Sequence, residues 1–247
     1  PRPFITVVTD MVSTHAFWFD RRADLVVVPT EKAKTVAVRY GIPAGNLRVV
    51  GLPVADRFRS PLPDRDAWRR QMGWRTDLPV ILVVGGGDGL GGVKRIAKAL
   101  NHADFEATLV VICGRNEELK RDLEAVEWRL PAHIYGFTRD MPDFMRAADI
   151  MVTKAGPGSI SEAFICGLPL LLYSRLPGQE DGNVDYVVEN GAGVWAPRVR
   201  DALAVLRQWV TDPAAREQAA RASARLARPE ASRQIARLIA EQVGVLP

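Results

Sequence analysis

Short β-branched runs, several of them apolar throughout, alternate with segments whose apolar positions recur at helical spacing, from the first residues almost to residue 195. Wholly apolar runs suit strands covered on both faces, and their alternation with helical segments is the pattern of parallel β-α-β units. It predicts strands at Phe4–Thr9, Asp24–Val28, Leu47–Val50, Val80–Val84, Thr108–Ile112, His133–Tyr135, Ile150–Thr153 and Leu170–Tyr173, with a short one at Val194. From Arg198 onward only an Ala- and Arg-rich helical pattern remains, broken at Pro213 and Pro229. The stretch Ser60–Asp77, with Pro61, Pro63 and the polar run Asp64-Arg65-Asp66, interrupts the rhythm. Residues 1–60 therefore read as one unit, 61–78 as a helix-bearing connector, 79–228 as a complete doubly wound α/β unit and 229–247 as a C-terminal helix. Three strands are too few to close a domain of this class, so the first unit is expected to be the later part of a domain whose beginning is missing.

Composition narrows the class without choosing a function. The 247 residues are 47% hydrophobic and 25% charged, which fits a globular chain and excludes disorder and collagen. No apolar run approaches the roughly 18 residues of a membrane-spanning helix, and Pro1 opens no basic-then-apolar signal segment, so any membrane contact is expected from outside the bilayer. Cys113 and Cys166, both in apolar stretches, offer neither a disulfide framework nor a thiolate metal site, which favours a reducing compartment. Residues 1–78 carry 13 Lys and Arg against 8 Asp and Glu, whereas residues 79–247 carry 20 against 21. The basic surplus suits an anionic membrane surface or simply a solvated Arg-rich face. Nucleic acid is the poorer partner, because no helix-turn-helix, zinc spacing or aromatic-and-basic strand signature accompanies the charge.

Three strand-to-helix junctions carry candidate chemistry. In ILVVGGGDGLGGV (81–93) a buried strand runs into glycines that let backbone N–H groups approach a phosphate at a helix start. Gly87, Gly89 and Gly92 also satisfy the G-x-G-x-x-G spacing of dinucleotide sites, but the next strand ends Cys113-Gly114-Arg115 rather than in an acid, so an oxidoreductase would have to be of NADP type, reading the phosphate with Arg115. In TKAGPGSISEA (153–163), Gly156 and Gly158 leave room for a ligand, and Glu162, placed in the first helical turn, can accept two ribose hydroxyls; Ser159 and Glu162 equally have the spacing of a capping box. In LPGQEDGNVDYVVENGAG (176–193), Gln179, Glu180 and Asn183 open a helix and can grip sugar hydroxyls, or Asp181 and Asn183 can cap it. Gly-rich loops at the carboxyl ends of neighbouring strands face one crevice, so together they point to a nucleotide.

The runs TDMVSTHAFWF (9–19), RVVGLPVADRF (48–58), VVGGGDGLGG (83–92), YGFTRDM (135–141), TKAGPGSISEAFICGLPLLL (153–172) and PGQEDGNVDYVVENGAG (177–193) resemble, in order, monogalactosyldiacylglycerol synthases and processive diacylglycerol glucosyltransferases. More distantly they resemble the N-acetylglucosaminyltransferase of peptidoglycan lipid synthesis. The resemblance implies a GT-B architecture: α/β, two Rossmann-like doubly wound domains, the N-terminal one incomplete in this chain. It also implies an inverting transfer of galactose or glucose from a UDP-hexose to diacylglycerol, without cofactor or essential metal, by a cytoplasmic protein peripheral on the inner face of the membrane. The donor residues it implies are Gly86, Gly87, Asp88 and Gly89 by the diphosphate, Phe137, Thr138 and Met141 around the uracil, Glu162 at the ribose, and Gln179 and Glu180 at the hexose with Asn183 close behind; Gly156, Gly158 and Ser159 also count among the donor-binding residues. Phe137 and Met141 fit core positions equally well.

Two departures accompany it. Relatives carry Arg directly after the GLPV motif, facing the phosphates; here Ala55 stands there, and Arg57 can replace it only if the turn differs. The family's Gly-rich, His-containing first loop, to which base and acceptor-positioning roles belong, does not precede Phe4, so the main base is expected in the missing part and the chain alone is expected to transfer little sugar. Asp10 and His15 remain the candidate catalytic groups, as base or acceptor-orienting residues. Phe17, Trp18 and Phe19 form either core or an interfacial patch. A donor-binding fragment inactive by itself is the alternative from a different functional class.

Overall fold

The computed structural model describes residues 2–61, 63–85 and 92–245. Among these, every strand expected from the apolar pattern forms: β1 (Ile5–Val7), β2 (Leu25–Val28), β3 (Leu47–Val49), β4 (Val80–Val84), β5 (Thr108–Ile112), β6 (Ala132–Tyr135), β7 (Ile150–Lys154), β8 (Leu170–Ser174) and β9 (Gly193–Trp195). They pair in parallel in two sheets, β1-β2-β3 and β6-β5-β4-β7-β8-β9. In the larger sheet the chain steps outward from β4 to β6 and then returns to the other side of β4. That reversal between β4 and β7 leaves a crevice beyond their carboxyl ends.

Strand side chains alternate between two cores. Leu82, Val84, Val110, Met151, Leu170 and Leu172 face one helical layer, while Ile81, Val83, Leu109, Val111, Ile150, Val152 and Leu171 face the other. The smaller sheet is covered likewise. Val26 and Val28 meet Ala33 and Ala37 of α1 (Glu31–Arg39), whereas Leu25 and Val27 meet Ala231 and Ile235 of the C-terminal helix α10 (Ala231–Gln242). The last helix thus crosses back and forms part of the first unit's core. Arg59 pairs with Glu230, Arg233 with Asp56, and the Ser232 hydroxyl donates to Val54 O at 2.6 Å, pinning this return.

The connector is bolted to the larger unit. Helix α2 (Arg65–Gln71) begins at Asp64, whose carboxylate accepts from Ala67 N at 2.8 Å. Trp68, and Trp74 just beyond the helix, pack edge-on against Phe144, with ring centroids 5.2 and 5.4 Å away. Arg65 and Arg69 reach Asp149 at 2.7 and 2.8 Å and also donate to Ala147 O. Burial pushes the Asp149 carboxyl up, but Arg65 and Arg69 outweigh it and hold the group below the usual carboxylate range.

Replacing Asp149 by Ala leaves the buried Arg69 without its counter-charge. Urea unfolding at pH 7 is expected to show a loss of about 3–5 kcal/mol. Because the Asp149 carboxyl is depressed in the folded protein, the wild-type advantage is present above its ordinary value and falls away as acid titrates it.

Candidate functional site

Helix α6 (Pro157–Cys166) leaves the end of β7 through Ala155 and Gly156. Pro157 is its first residue, because a fixed φ and a missing N–H cost nothing at that position. Ser159 is therefore third in the helix and Glu162 lies in the second turn. This corrects two expectations: the pair is not a capping box, and Glu162 is not in the first turn. Gly156 caps the helix without a side-chain bond. The Glu162 carboxylate accepts no protein hydrogen bond among the described residues, and burial pushes it up to about 7, with the positive charge of Arg57 acting against the shift. A half-buried carboxylate with unused acceptor capacity is poised for hydroxyl donors.

Phe137 follows β6 and is 61% exposed, which removes the core reading for it. Its ring carries the Arg115 guanidinium 5.4 Å from the centroid. Met141 packs partly against the core at the start of α5 (Met141–Ala147), and Thr138 Oγ1 accepts from Asp140 N at 3.0 Å to turn the chain into that helix. Ala55 opens a single 3-10 turn, Asp56–Arg59, that packs on α6. From this turn Arg57 donates to Arg139 O at 2.9 Å, so it reaches the crevice that position 55 leaves unserved. Gly86, Gly87, Asp88 and Gly89 lie outside the described residues. Just beyond them α3 (Gly92–Leu100) begins against Tyr173, and a Cβ on Gly92 would collide with that ring.

The turn before α7 (Asp181–Glu189) departs from expectation. Glu180 is only 3% exposed; one oxygen accepts from Leu176 N at 2.7 Å and the other from Lys154 Nζ at 3.4 Å. Its carboxylate is thus engaged beneath the turn rather than presented to an open sugar pocket. Asn183 is buried, donating to Ala155 O at 2.9 Å, and so ties α7 to the approach to α6. Capping by Asp181 and Asn183 is not what opens the helix, since Glu180 holds that position without a side-chain bond and Asp181 accepts from Gly178 N instead. Gln179 alone stays exposed, and its amide donates to Asp10 Oδ1 at 3.3 Å, across the gap between the two units.

Asp10 and His15 line a groove of about 680 Å³ together with Ser13, Trp18, Tyr40 and Gln179. His15 Nδ1 accepts from Phe17 N at 3.2 Å, which puts the neutral ring's proton on Nε2. In the neutral ring the other nitrogen is then a donor, which suits His15 to orienting an oxygen. Among the described residues only one Asp10 carboxylate oxygen, the one bonded to Gln179, is engaged. Beside the groove Phe17 is 90% exposed and Trp18 more than half exposed, whereas Phe19 belongs to the core. No described helix is long and apolar enough to cross a membrane.

Motif reading passed over Lys154, although a lone charge ending an otherwise apolar strand was a signal available in the sequence. Nor did it see that Gly182 must be glycine. Gly182 N donates to Ser13 Oγ at 3.0 Å, and a Cβ there would lie 2.5 Å from that oxygen and 2.8 Å from Val12.

Residues 64–226 match the family model "Glycosyl transferases group 1", and residues 1–54 match that of "Monogalactosyldiacylglycerol (MGDG) synthase". Monogalactosyldiacylglycerol synthase 2 of Arabidopsis thaliana is 38% identical over 236 residues, covering 92% of this chain and 50% of that protein. The chain spans about half the length of the curated relatives it matches. Among solved structures, Acinetobacter baumannii MurG superposes with a TM-score of 0.71 at 20% identity, covering 97% of this chain and 67% of that one. The Staphylococcus aureus MnaA–UDP structure gives 0.75 at 18% identity, covering 99% and 70%. These likenesses agree with an α/β fold of GT-B type.

The state of Glu162 has a measurable consequence. In the folded protein the carboxyl holds its proton up to about 7, whereas the unfolded chain releases it near 4.5. Stability from this group is therefore full below the unfolded value and is lost as pH rises through about 7. Glu162→Gln is expected to melt at a higher temperature than the wild type at pH 8 and at the same temperature at pH 4. A lower melting temperature at pH 8 would mean that the carboxylate is paired.

Proposed function

The chain belongs to the group 1 glycosyl transferases, and we propose that it forms the donor-binding unit and the adjoining acceptor wall of an enzyme that moves a hexose from UDP to diacylglycerol. The observation that carries this reading is the Glu162 carboxylate, which accepts no hydrogen bond from the described residues, one helical turn into the crevice at the sheet's order reversal. Phe137 offers an exposed face to the uracil, and Glu162 accepts the ribose hydroxyls. Gln179 reads the hexose, while Glu180 and Asn183 hold the turn that presents it. UDP as carrier is supported by the MnaA structure, and galactose on diacylglycerol by the name of the Arabidopsis relative.

The acceptor hydroxyl attacks the anomeric carbon from the face opposite UDP. As the new C–O bond forms, the bond from that carbon to the diphosphate oxygen breaks, its electron pair stays on UDP, and the sugar's configuration inverts. Asp10 is the carboxylate on this wall that can receive the hydroxyl proton, with His15 Nε2–H holding the same oxygen. Oriented backbone N–H groups at the uncapped start of α6 face the charge that builds on the leaving group, and the reading calls on no metal. Phe17 and Trp18, with Arg21 and Arg22 close behind in sequence, seat the groove on an anionic membrane.

Calorimetric titration with UDP tests the reading. Glu162→Gln is expected to weaken UDP by about 1.5–3 kcal/mol. Ribose hydroxyls favour the ionised carboxylate, so wild-type affinity should climb as pH rises through about 7, a slope that the Gln variant lacks. Unchanged affinity in Glu162→Gln would remove the ribose assignment.

Gln179→Ala is expected to bind UDP normally but to lose discrimination between UDP-galactose and UDP-glucose, since a group built to hydrogen-bond one hydroxyl penalises its absence. A matching loss of UDP affinity would place Gln179 on the nucleotide instead. Co-sedimentation with anionic vesicles should weaken in high salt and in a Phe17→Ser, Trp18→Ser variant, and indifference to both would remove the membrane assignment.

A further inference from the structure

The chain passes between the two units twice, outward through Gly51 and Leu52 after β3 and back through Leu226 and Arg228 before α10. The two crossings press on each other. Gly51 holds a φ of +119°, and a Cβ there would collide with Arg228 Cβ. Beside them lies an enclosed cavity of about 280 Å³ that all four of these residues line. Met11 and Leu52 give it an apolar wall on one side and Phe164 and Leu226 on the other. Its remaining side is polar. The half-buried phenol of Tyr186 lies there, and its hydroxyl makes no hydrogen bond among the described residues. Burial pushes this phenol up while the charges of Arg228 and Lys32 act against the shift, so both cations stand near it. Of the other charges at this rim, Lys32 pairs with Glu189, and Glu31 faces Lys34 at 3.7 Å. Arg228 has no carboxylate partner among the described residues; its guanidinium donates to Ala227 O at 2.9 Å.

Apolar walls that end in a phenol O–H and a guanidinium without a counter-charge suit an oxyanion carried on a small hydrocarbon body. Size narrows the class: pockets for drug-sized ligands run from about 300 Å³ upward, so a two-chain lipid does not fit here, whereas a short chain or a single ring does. We propose that this cavity binds a small carboxylic acid, its carboxylate between Tyr186 and Arg228 and its hydrocarbon body against Met11, Leu52 and Phe164. The walls come from both units and from both crossings, so an occupant favours this arrangement of the units over one in which they part. Phe164 lies on α6, the helix that carries Glu162, and the occupant therefore touches the same element as the crevice.

Octanoate is the probe and 1-octanol its uncharged counterpart, each titrated calorimetrically into the whole protein. Octanoate is expected to bind at least about tenfold more tightly than octanol, because the hydrogen bonds it gains are charge-assisted. Tyr186→Phe removes only the hydroxyl, and Arg228→Met keeps the methylene stem that packs on Gly51. Each is expected to weaken octanoate about fivefold and to leave octanol unchanged. Should Arg228→Met not melt cooperatively, Tyr186→Phe decides. Hydrogen exchange then locates the site: octanoate should slow exchange in peptides spanning the crossings at 50–54 and 225–231. No binding of octanoate, equal binding of the two probes, or wild-type affinity for octanoate in Tyr186→Phe would overturn the proposal. Slowing confined to the groove around Asp10 and Trp18 would overturn it as well.

Discussion

Both faces of the six-stranded parallel sheet are covered by helices, and this double burial leaves no position inside it for an unpaired charge. Polar groups are therefore displaced to the strand ends, and the order reversal between β4 and β7 decides at which end they gather. Lys154, Gly156, Glu162 and Phe137 all lie at the carboxyl edge for that reason. The same exclusion explains why Glu180, although buried, is fully engaged: a carboxylate in such surroundings persists only with its lone pairs occupied.

The two units meet along a narrow seam. Gly182 presses on Val12 and Ser13 with no room for a side chain, Gln179 bonds Asp10, and Lys32 pairs with Glu189. Next to these contacts a cavity of about 280 Å³ remains between Met11, Thr30 and Leu52 on one side and Phe164, Ile165 and Tyr186 on the other. The alignment of the groove around Asp10 and His15 with the crevice at the carboxyl ends of β4 and β7 thus depends on a few close contacts and on α10, which belongs to the core of the unit opposite the one it leaves. In this arrangement Gln179 touches the wall of the groove around Asp10 directly, so the residue proposed to read the hexose also contacts the other unit.

Periodicity was enough to find all nine strands within a few residues, because strands buried on both faces are written as unbroken apolar runs. The glycine pattern at Gly156 and Gly158 marked the junction between β7 and α6 for a similarly local reason. Helix starts were less legible: Ser159 and Glu162 have capping-box spacing, but Pro157 starts the helix two residues earlier and carries Glu162 into the second turn. Contacts between distant residues could not be read at all. Nothing local shows that Arg65 and Arg69 meet Asp149 some 80 residues later, that Glu180 turns inward to Lys154, or that Arg57 crosses to Arg139. Nor does the sequence show that the backbone N–H of Phe17 donates to His15 Nδ1, a contact that only the folded turn supplies.

A crystal structure of the protein with UDP tests the central claim most directly. The account requires the uracil against Phe137, the ribose hydroxyls on Glu162 and the diphosphate at the start of α6. UDP lodged in the cavity between Met11, Phe164 and Tyr186, or at the opposite pole of the sheet beside Arg75 and Arg129, would contradict it.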